Sequence, residues 1–363
     1  MILEIIGAAS LAAWVYLFTA RGGFWQMSIP APPRFGAGAT VCVIIPARNE
    51  EGVIAQAVES LAKQAAHIIV VDDDSSDRTA HVAAKSGATV LRAGPLPDGW
   101  SGKLWAVSEG LQYARPLRPD YFLLTDADIV HSPQNIAELV ARAEAEKLDM
   151  ASLMVKLRCQ SFAETLLIPT FVFFFFMLYP PPWIANPKRR IAAAAGGCIL
   201  IRPAALDRIG GIAAIRSEII DDCALARAVK RSGGRIWLGV SQTTRSIRDY
   251  NTFSEIRGMI SRTAFAQLRH STLLLLLTIV GILVIYVAPP VLLFTRRPLA
   301  VCGLAAWMLM TISYTPALRF YGRSILWAPL LPFIALFYVS ATLDSAVAHW
   351  SGRGGLWKGR VQD

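Results

Sequence analysis

The sequence predicts an α/β protein with a mostly parallel sheet, tethered to a membrane by apolar helices at both ends. Three observations predict it. Short β-rich runs alternate with helical periodicities across 40–270, and strands alternating with helices build a parallel sheet covered on both faces. Three uncharged runs follow, 271–294, 298–318 and 324–343, each close to the ~20 residues a helix needs to cross a bilayer. Hydrophobic residues make up 54% of the chain and charged residues only 17%, against ~25% charged in a soluble domain. That balance excludes a disordered chain, a coiled coil and an ordinary water-soluble enzyme.

The elements follow in order. Residues 1–20 are apolar except for Glu4 and lack a basic n-region. They read as an uncleaved transmembrane anchor, with a short buried helix as the alternative. The linker 21–39 carries Arg21, Arg34, Pro30, Pro32 and Pro33. Basic residues after the anchor place the next domain on the cytoplasmic face of an inner membrane. Within 40–270, strands are expected at 41–46, 67–72, 89–92, 121–125 and 150–156. Val53, Ala57 and Leu61 recur at helical spacing, as do Leu104, Ser108 and Leu111.

A fourth uncharged run, 165–187, holds Phe171, Phe173, Phe174, Phe175 and Phe176. Pro169 and Pro180 to Pro182 are expected to bound a core too short to cross, so this segment should lie in the interface. A buried core helix is the alternative. Residues 271–347 supply the C-terminal transmembrane helices and 348–363 a basic tail. Three crossings would leave the Arg296–Arg297 loop and the tail residues Arg353, Lys358 and Arg360 outside, against the positive-inside tendency. A hairpin turning back at Pro289–Pro290 would repair this.

Lys and Arg number 36 against 26 Asp and Glu, a net charge of +10. The basic residues are scattered rather than gathered in one stripe, so the expected partner is an anionic membrane surface and no nucleic acid. The cysteines, Cys42, Cys159, Cys198, Cys223 and Cys302, have no metal-ligand spacing and an odd count, and read as buried free thiols.

In open parallel sheets ligands sit beyond the carboxyl ends of strands, so the residues there carry the functional reading. After the first strand comes Pro46-Ala47-Arg48-Asn49-Glu50-Glu51. Asn49 is expected to cap the next helix with the glutamates at its positive end, and the Arg48 guanidinium suits a nucleotide. After the second come Asp72, Asp73 and Asp74. Their repulsion calls for a donor-rich ligand, a cation or full solvation, and a carboxylate there can accept the imide N–H of uracil. The plainer role is an N-cap cluster for a helix over 77–85.

After the third strand, Gly102-Lys103 opens a helix and could hold phosphate, without Walker spacing. After the fourth, Asp126-Ala127-Asp128 presents two hard oxygen ligands suited to Mg²⁺ or Mn²⁺. Ala195-Gly196-Gly197-Cys198 lets backbone approach an acceptor, or makes a turn. Asp221 and Asp222 precede a helix over 223–231. They serve either its positive end or, in Asp222, a general base.

The order of these motifs, Pro46-Ala47-Arg48-Asn49-Glu50, Val71-Asp72-Asp73 with Ser75 and Asp77, Asp126-x-Asp128 and Asp221-Asp222, resembles the family-2 inverting glycosyltransferases of the GT-A fold over roughly 40–270. The phrase Gly99-Trp100-Ser101-Gly102-Lys103-Leu104-Trp105-Ala106, set between anchor and C-terminal helices, is similar to the hopanoid-associated membrane glycosyltransferases. The resemblance implies a nucleotide-sugar donor, uridine-linked, a lipid acceptor hydroxyl with hopanoids as one class, and a divalent metal. It assigns Asp73 and Asp72 to the base, Asp126 to the ribose and diphosphate, Asp128 with Asp126 to the metal, and Asp222 to catalysis as general base. Pro46, Arg48, Glu50, Lys103, Asp221 and Arg262 complete the expected donor contacts. Two departures stand out. The acidic pair is Asp-Asp where the family has Glu-Asp. The Gln-x-x-Arg-Trp element of processive synthases is not intact, Met259, Arg262 and Thr263 standing in its place, which argues against long-polymer synthesis. A metal-dependent nucleotidyltransferase and a non-enzymatic membrane scaffold with a degenerate nucleotide site are the alternatives from other classes.

Overall fold

The structure is a computed structural model that describes residues 1–29, 38–352, 356–357 and 360–361. The linker residues Pro30, Pro32, Pro33 and Arg34, and the side chains of Arg353, Lys358 and Arg360 in the tail, lie outside the described residues. The chain divides into a sheet unit (28–158, 183–249 and 356–363) and a helical unit (1–27, 159–182 and 250–355).

In chain order the first elements are α1 (Ile2–Thr19), β1 (Val41–Ala47), α2 (Ile54–Leu61), β2 (His67–Asp72), α3 (Thr79–Lys85), β3 (Thr89–Arg92), α4 (Gly102–Ala114), β4 (Tyr121–Leu124), β5 (Ile129–Val130), α5 (Asn135–Ala145) and β6 (Met150–Lys156). Then come α6 (Phe162–Leu178), α7 (Pro181–Ala185), β7 (Ile199–Ile201), α8 (Pro203–Arg208), α9 (Asp221–Arg231), β8 (Ile236–Ser246), α10 (Phe253–Ser261), α11 (Ala264–Gln267), α12 (Thr272–Ile282), α13 (Ala288–Leu292), α14 (Leu299–Phe320) and α15 (Leu331–Trp350).

The sheet unit holds one eight-stranded sheet in the order β3-β2-β1-β4-β7-β6-β8-β5. It is mixed but mostly parallel, β7 and β5 alone running against their neighbours. Every residue of β1 is buried, as a central strand covered on both faces requires. The register pairs Ala47 with Asp72 and Ile44 with both Ile69 and Leu124, so the carboxyl ends of β1, β2 and β4 lie side by side. The chain leaves β1 toward β2 and β3, then returns to β4 on the other side. The β1–β4 boundary is therefore the switch point where such sheets bind ligands. α4 packs over β1 and β2 at Gly110, where a Cβ would stand 2.6 Å from Ile44 Cγ2 and 2.9 Å from Val71 Cγ2.

The five strands expected from the sequence are present, β1 one residue longer and β4 one shorter than read. The helix expected over 77–85 starts at Thr79, and the one expected over 223–231 starts at Asp221.

In the helical unit α1 and α13 pack against α14, and α6 against α14 and α15. Two expectations are corrected here. Pro169 does not bound a short core: α6 continues through it, opened by a capping box between Ser161 and Glu164. Phe173 and Phe176 are buried, Phe173 against Phe24 and Tyr314, while Phe174 meets Tyr286 and Tyr338. Nor does the chain turn back at Pro289–Pro290. It stays helical from α12 to α13 through a π-turn at Leu283–Val287. Pro289 has no N–H to give the carbonyl four residues before it, and Trp14 Nε1 donates to that Ile285 oxygen at 2.7 Å.

Among the described residues five helices are long and apolar enough to cross a membrane: Ile2–Thr19, Phe162–Ala185, Thr272–Leu292, Leu299–Phe320 and Ile325–Trp350. All five cysteines are free, and only Cys302 is not fully buried.

Candidate active site

The loops after β1 and β2 lock together. Asn49 adopts a left-handed φ of 52°, and its Oδ1 accepts from Ser76 N at 2.8 Å. It does not cap α2, whose N-cap is Val53; its side chain is turned to the neighbouring strand end instead. Glu51 likewise serves another helix, accepting from the backbone of Arg78 at the start of α3 at 3.0 Å. Arg48 donates through Nη1 to the Asp73 carbonyl and, at 3.2 Å, to that of Asp74. These bonds hold Asp72 and Asp73 in place at the end of β2, 7% and 2% exposed. Asp72 Oδ2 accepts from Ser75 N at 3.4 Å, whereas Oδ1 is buried without a hydrogen-bond partner. A buried acceptor left open is costly unless a ligand donates to it. Asp74 differs: it is exposed and paired with Arg92.

The second cluster surrounds Lys103. Ser101 caps α4 by accepting from Leu104 N, which puts Lys103 in its first turn. The ammonium lies 2.9 Å from Asp126 and 3.1 Å from Asp221. Its ion pairs are with these two carboxylates. Burial opposes its charge, but Asp126 and Asp221 outweigh that and hold it protonated well beyond the ordinary lysine range. One cation among Asp126, Asp221 and Asp222 leaves a surplus of negative charge. Asp126 is raised accordingly, by burial first, with Lys103 opposing and Asp128 adding. Pro46, Leu124 and Thr125 line the same cleft.

Asp222 is held by two backbone amides, Gly196 N on Oδ2 at 2.8 Å and Cys223 N on Oδ1 at 2.6 Å. A Cβ on Gly196 would stand 3.4 Å from Asp222 Oδ2 and 3.5 Å from Lys103 Nζ, so the glycine permits this approach. Burial, then the neighbouring Asp221, raises the Asp222 carboxyl to about 6, against the pull of Lys103 and the two amides. A carboxylate near 6 is ionised at neutral pH yet basic enough to take a proton.

Asp128 Oδ2 accepts from Ser246 Oγ at 2.6 Å and lies 3.5 Å from Arg248 Nε. Arg248 also pairs with Glu50 at 2.6 Å, tying the β1 loop to the Asp126–Asp128 loop. The two carboxylates, with the local excess of negative charge, fit a hard divalent cation. Among the described residues no three His, Cys, Asp or Glu side chains form a metal-sized cluster. Mg²⁺ is commonly bound by one or two carboxylates with substrate phosphates and water completing its shell.

The structure thus gathers Pro46, Lys103, Asp126, Asp221 and Asp222 on one cleft, and Arg48, Glu50, Asp72 and Asp73 on the adjoining loops. Arg262 belongs to the helical unit, at the C-cap of α10. Sequence reasoning missed Ser246, the last residue of β8, and Arg248 just after it, which reach Asp128 from about a third of the chain away. It also missed Thr125 and His131, buried beside the acidic motif.

The sequence profile of glycosyl transferase family 2 matches residues 42–210. An uncharacterized protein of Methanocaldococcus jannaschii is 35% identical over 112 residues, 31% of this chain and 44% of that one. A 4,4'-diaponeurosporenoate glycosyltransferase of Staphylococcus haemolyticus is 35% identical over 112 residues, 30% of this chain and 29% of that one. The chain therefore spans less than half the length of these relatives. Among solved structures, a mannosyltransferase of Pyrobaculum calidifontis in complex with GDP-Man and Mn²⁺ shares the fold, with a TM-score of 0.55 at 16% identity over 99% of this chain and 100% of that one. Residues 42–210 are thus similar to glycosyl transferase family 2, and the fold is the GT-A fold.

Proposed function

We propose that the chain is a membrane-bound inverting glycosyltransferase that moves a sugar from a nucleotide-sugar donor, uridine-linked, to the hydroxyl of a lipid acceptor, hopanoids being the first class to test. The observation that carries the reading is Asp222. It is a half-buried carboxylate aimed by two backbone amides and raised to about 6. Asp222 takes the proton of the attacking hydroxyl, the oxygen bonds to the anomeric carbon, and the nucleoside diphosphate leaves from the opposite face. One displacement inverts the configuration. The open Asp72 Oδ1 accepts an N–H of the base, and Asp73 lies beside it. Asp126 and Asp128 would hold a divalent cation, which would supply charge neutralisation to the departing diphosphate. Lys103 keeps Asp126 and Asp221 in place through its two ion pairs.

The membrane topology belongs to the same reading. The catalytic unit faces the cytoplasm, with α1, α12–α13, α14 and α15 as crossings. α6 lies in the interface. β6 precedes it and β7 follows it, and these two strands are hydrogen-bonded neighbours, which opposes a single crossing between them.

The test is release of nucleoside diphosphate by the detergent-purified chain with UDP- and GDP-sugars and fractionated lipids, beside D222N. Loss of general-base catalysis lowers turnover by ~10²–10⁴-fold. A D222N protein that transfers sugar at the wild-type rate overturns the base. Since a carboxylate acceptor is already ionised and needs no base, that result with an acidic lipid would point to ester formation instead.

A further inference from the structure

We propose that His131 and Thr125 are positioning residues, which fix the Gly196–Gly197 loop and through it the aim of Asp222. The inference rests on the glycosyltransferase reading above. It starts from a line of buried hydrogen bonds that no step of that reading uses. Thr244 Oγ1 accepts from Ser132 N at 3.3 Å and donates to Asn135 Oδ1 at 3.0 Å. With its oxygen so occupied, Asn135 turns its amide nitrogen to His131 Nδ1 at 2.9 Å, and the same Nδ2 reaches Cys198 Sγ at 3.5 Å. His131 Nδ1 is therefore an acceptor and the ring proton sits on Nε2. Nε2 gives it to Thr125 Oγ1 at 3.0 Å, and the threonine hydroxyl donates to the Gly197 carbonyl at 2.7 Å.

Each N–H or O–H hydrogen in this line has its own acceptor, the two on Asn135 Nδ2 going to His131 and Cys198, so the line has a direction. It begins in β8, passes through α5 and the residue after β5, and ends on the loop that carries Gly196. Thr244, Asn135, His131 and Thr125 are all buried, none more than 4% exposed. Burial keeps the imidazole neutral, its pKa pushed down to about 3, so the arrangement does not change across the working pH range. The receiving loop has little slack. A Cβ on Gly197 would stand 3.2 Å from Val155 Cγ2 and 3.3 Å from Ile129 Cδ1. One residue back, Gly196 N donates to Asp222. Thr125 precedes Asp126, so the same hydroxyl ties the acidic loop after β4 to the loop that aims the base. Small displacements at such a site cost rate without costing binding.

The experiment compares T125V, which keeps the β-branched shape and removes the hydroxyl, with T125S, which keeps the hydroxyl. H131F serves as the second break in the line. Wild type and D222N are assayed alongside, and donor dissociation constants are measured by calorimetry with UDP or GDP. The expected result for T125V and H131F is a fall in kcat of about 10- to 100-fold. Donor KM and Kd should stay within about twofold of wild type. The acid limb of the pH profile should move to higher pH, because Asp222 loses a well-aimed N–H. Asp221, Lys103 and Cys223, the other groups facing Asp222, are the same in every variant. T125S should retain wild-type turnover and limb. An unchanged kcat and acid limb in T125V overturns the inference, as does a loss of donor affinity in step with kcat. D222N separates the two levels: if it is inactive, an unaffected T125V sinks the positioning role alone, and if it is fully active the base assignment falls and the inference with it.

Discussion

With Asp222 as the proposed base, the acid limb of activity should sit where the surroundings of that carboxyl put it. Burial and the Asp221 charge raise this carboxyl from 3.8 to about 6. The base must be ionised to accept a proton, so kcat/KM should be on its plateau above pH 7 and fall tenfold per pH unit below about 6. At pH 5 about one tenth of the plateau should remain, whereas a carboxyl at its ordinary value would still give more than about nine tenths. The sign of the neighbour effect is fixed as well. D221N removes a negative charge that raises the Asp222 pKa and leaves Lys103, which lowers it, less occupied. Its limb should therefore move to lower pH, and at pH 5 the variant should keep a larger fraction of its own plateau than wild type does. Scaling each variant to its own plateau removes the cost of breaking the 3.1 Å pair between Asp221 and Lys103. The assay is initial-rate release of nucleoside diphosphate at low donor concentration between pH 4.5 and 8.5, buffers held at one ionic strength. A wild-type midpoint near 4, or a limb that moves up in D221N, would refute the electrostatic account of the base.

Four further outcomes follow from the same structure. D128N keeps the side-chain volume and removes an anionic ligand, so transfer should be almost abolished with the circular dichroism spectrum unchanged. Chelator should mimic it, and full activity of wild type in chelator would exclude the metal assignment. G110A drives a methyl against Ile44 and Val71 at 2.6 and 2.9 Å, and overpacking of this kind costs about 1–3 kcal/mol, measured as a lower midpoint in denaturant. W14F strands the Ile285 carbonyl that Pro289 cannot serve; a buried unsatisfied acceptor costs about 1–3 kcal/mol, and thermal melting in detergent should show it, with no change expected in donor affinity. A depth-sensitive label at Phe175 should report a shallow position, and mid-bilayer quenching would contradict the interfacial placement of α6.

What the sequence determined by itself was the kind of fold and the strand ends at which its polar motifs gather. Apolar runs of spanning length follow from composition, and a strand–helix alternation is a periodicity that needs no partner to be seen. Since each of the first strands ends in a polar motif, Pro46, Asp72, Asp73, Asp126 and Asp128 could be assigned to one edge of a parallel sheet before any packing was known. Tertiary structure decided the rest, because it depends on groups far apart in the chain. Lys103 was legible as a cation at a helix start, but the charges it faces come from Asp126 and Asp221, 23 and 118 positions away. Asn49 looked like a cap from its local context. A left-handed backbone and a loop from the next strand gave its side chain a different partner. The prolines at 169 and 289 read as breaks, since proline removes a donor locally, yet packing in the helical unit kept both helices running, and for Pro289 the donor came from Trp14. His131 carried no signal at all: a lone histidine becomes readable only when Asn135, Thr125 and Gly197 are brought round it, and that juxtaposition is a property of the fold.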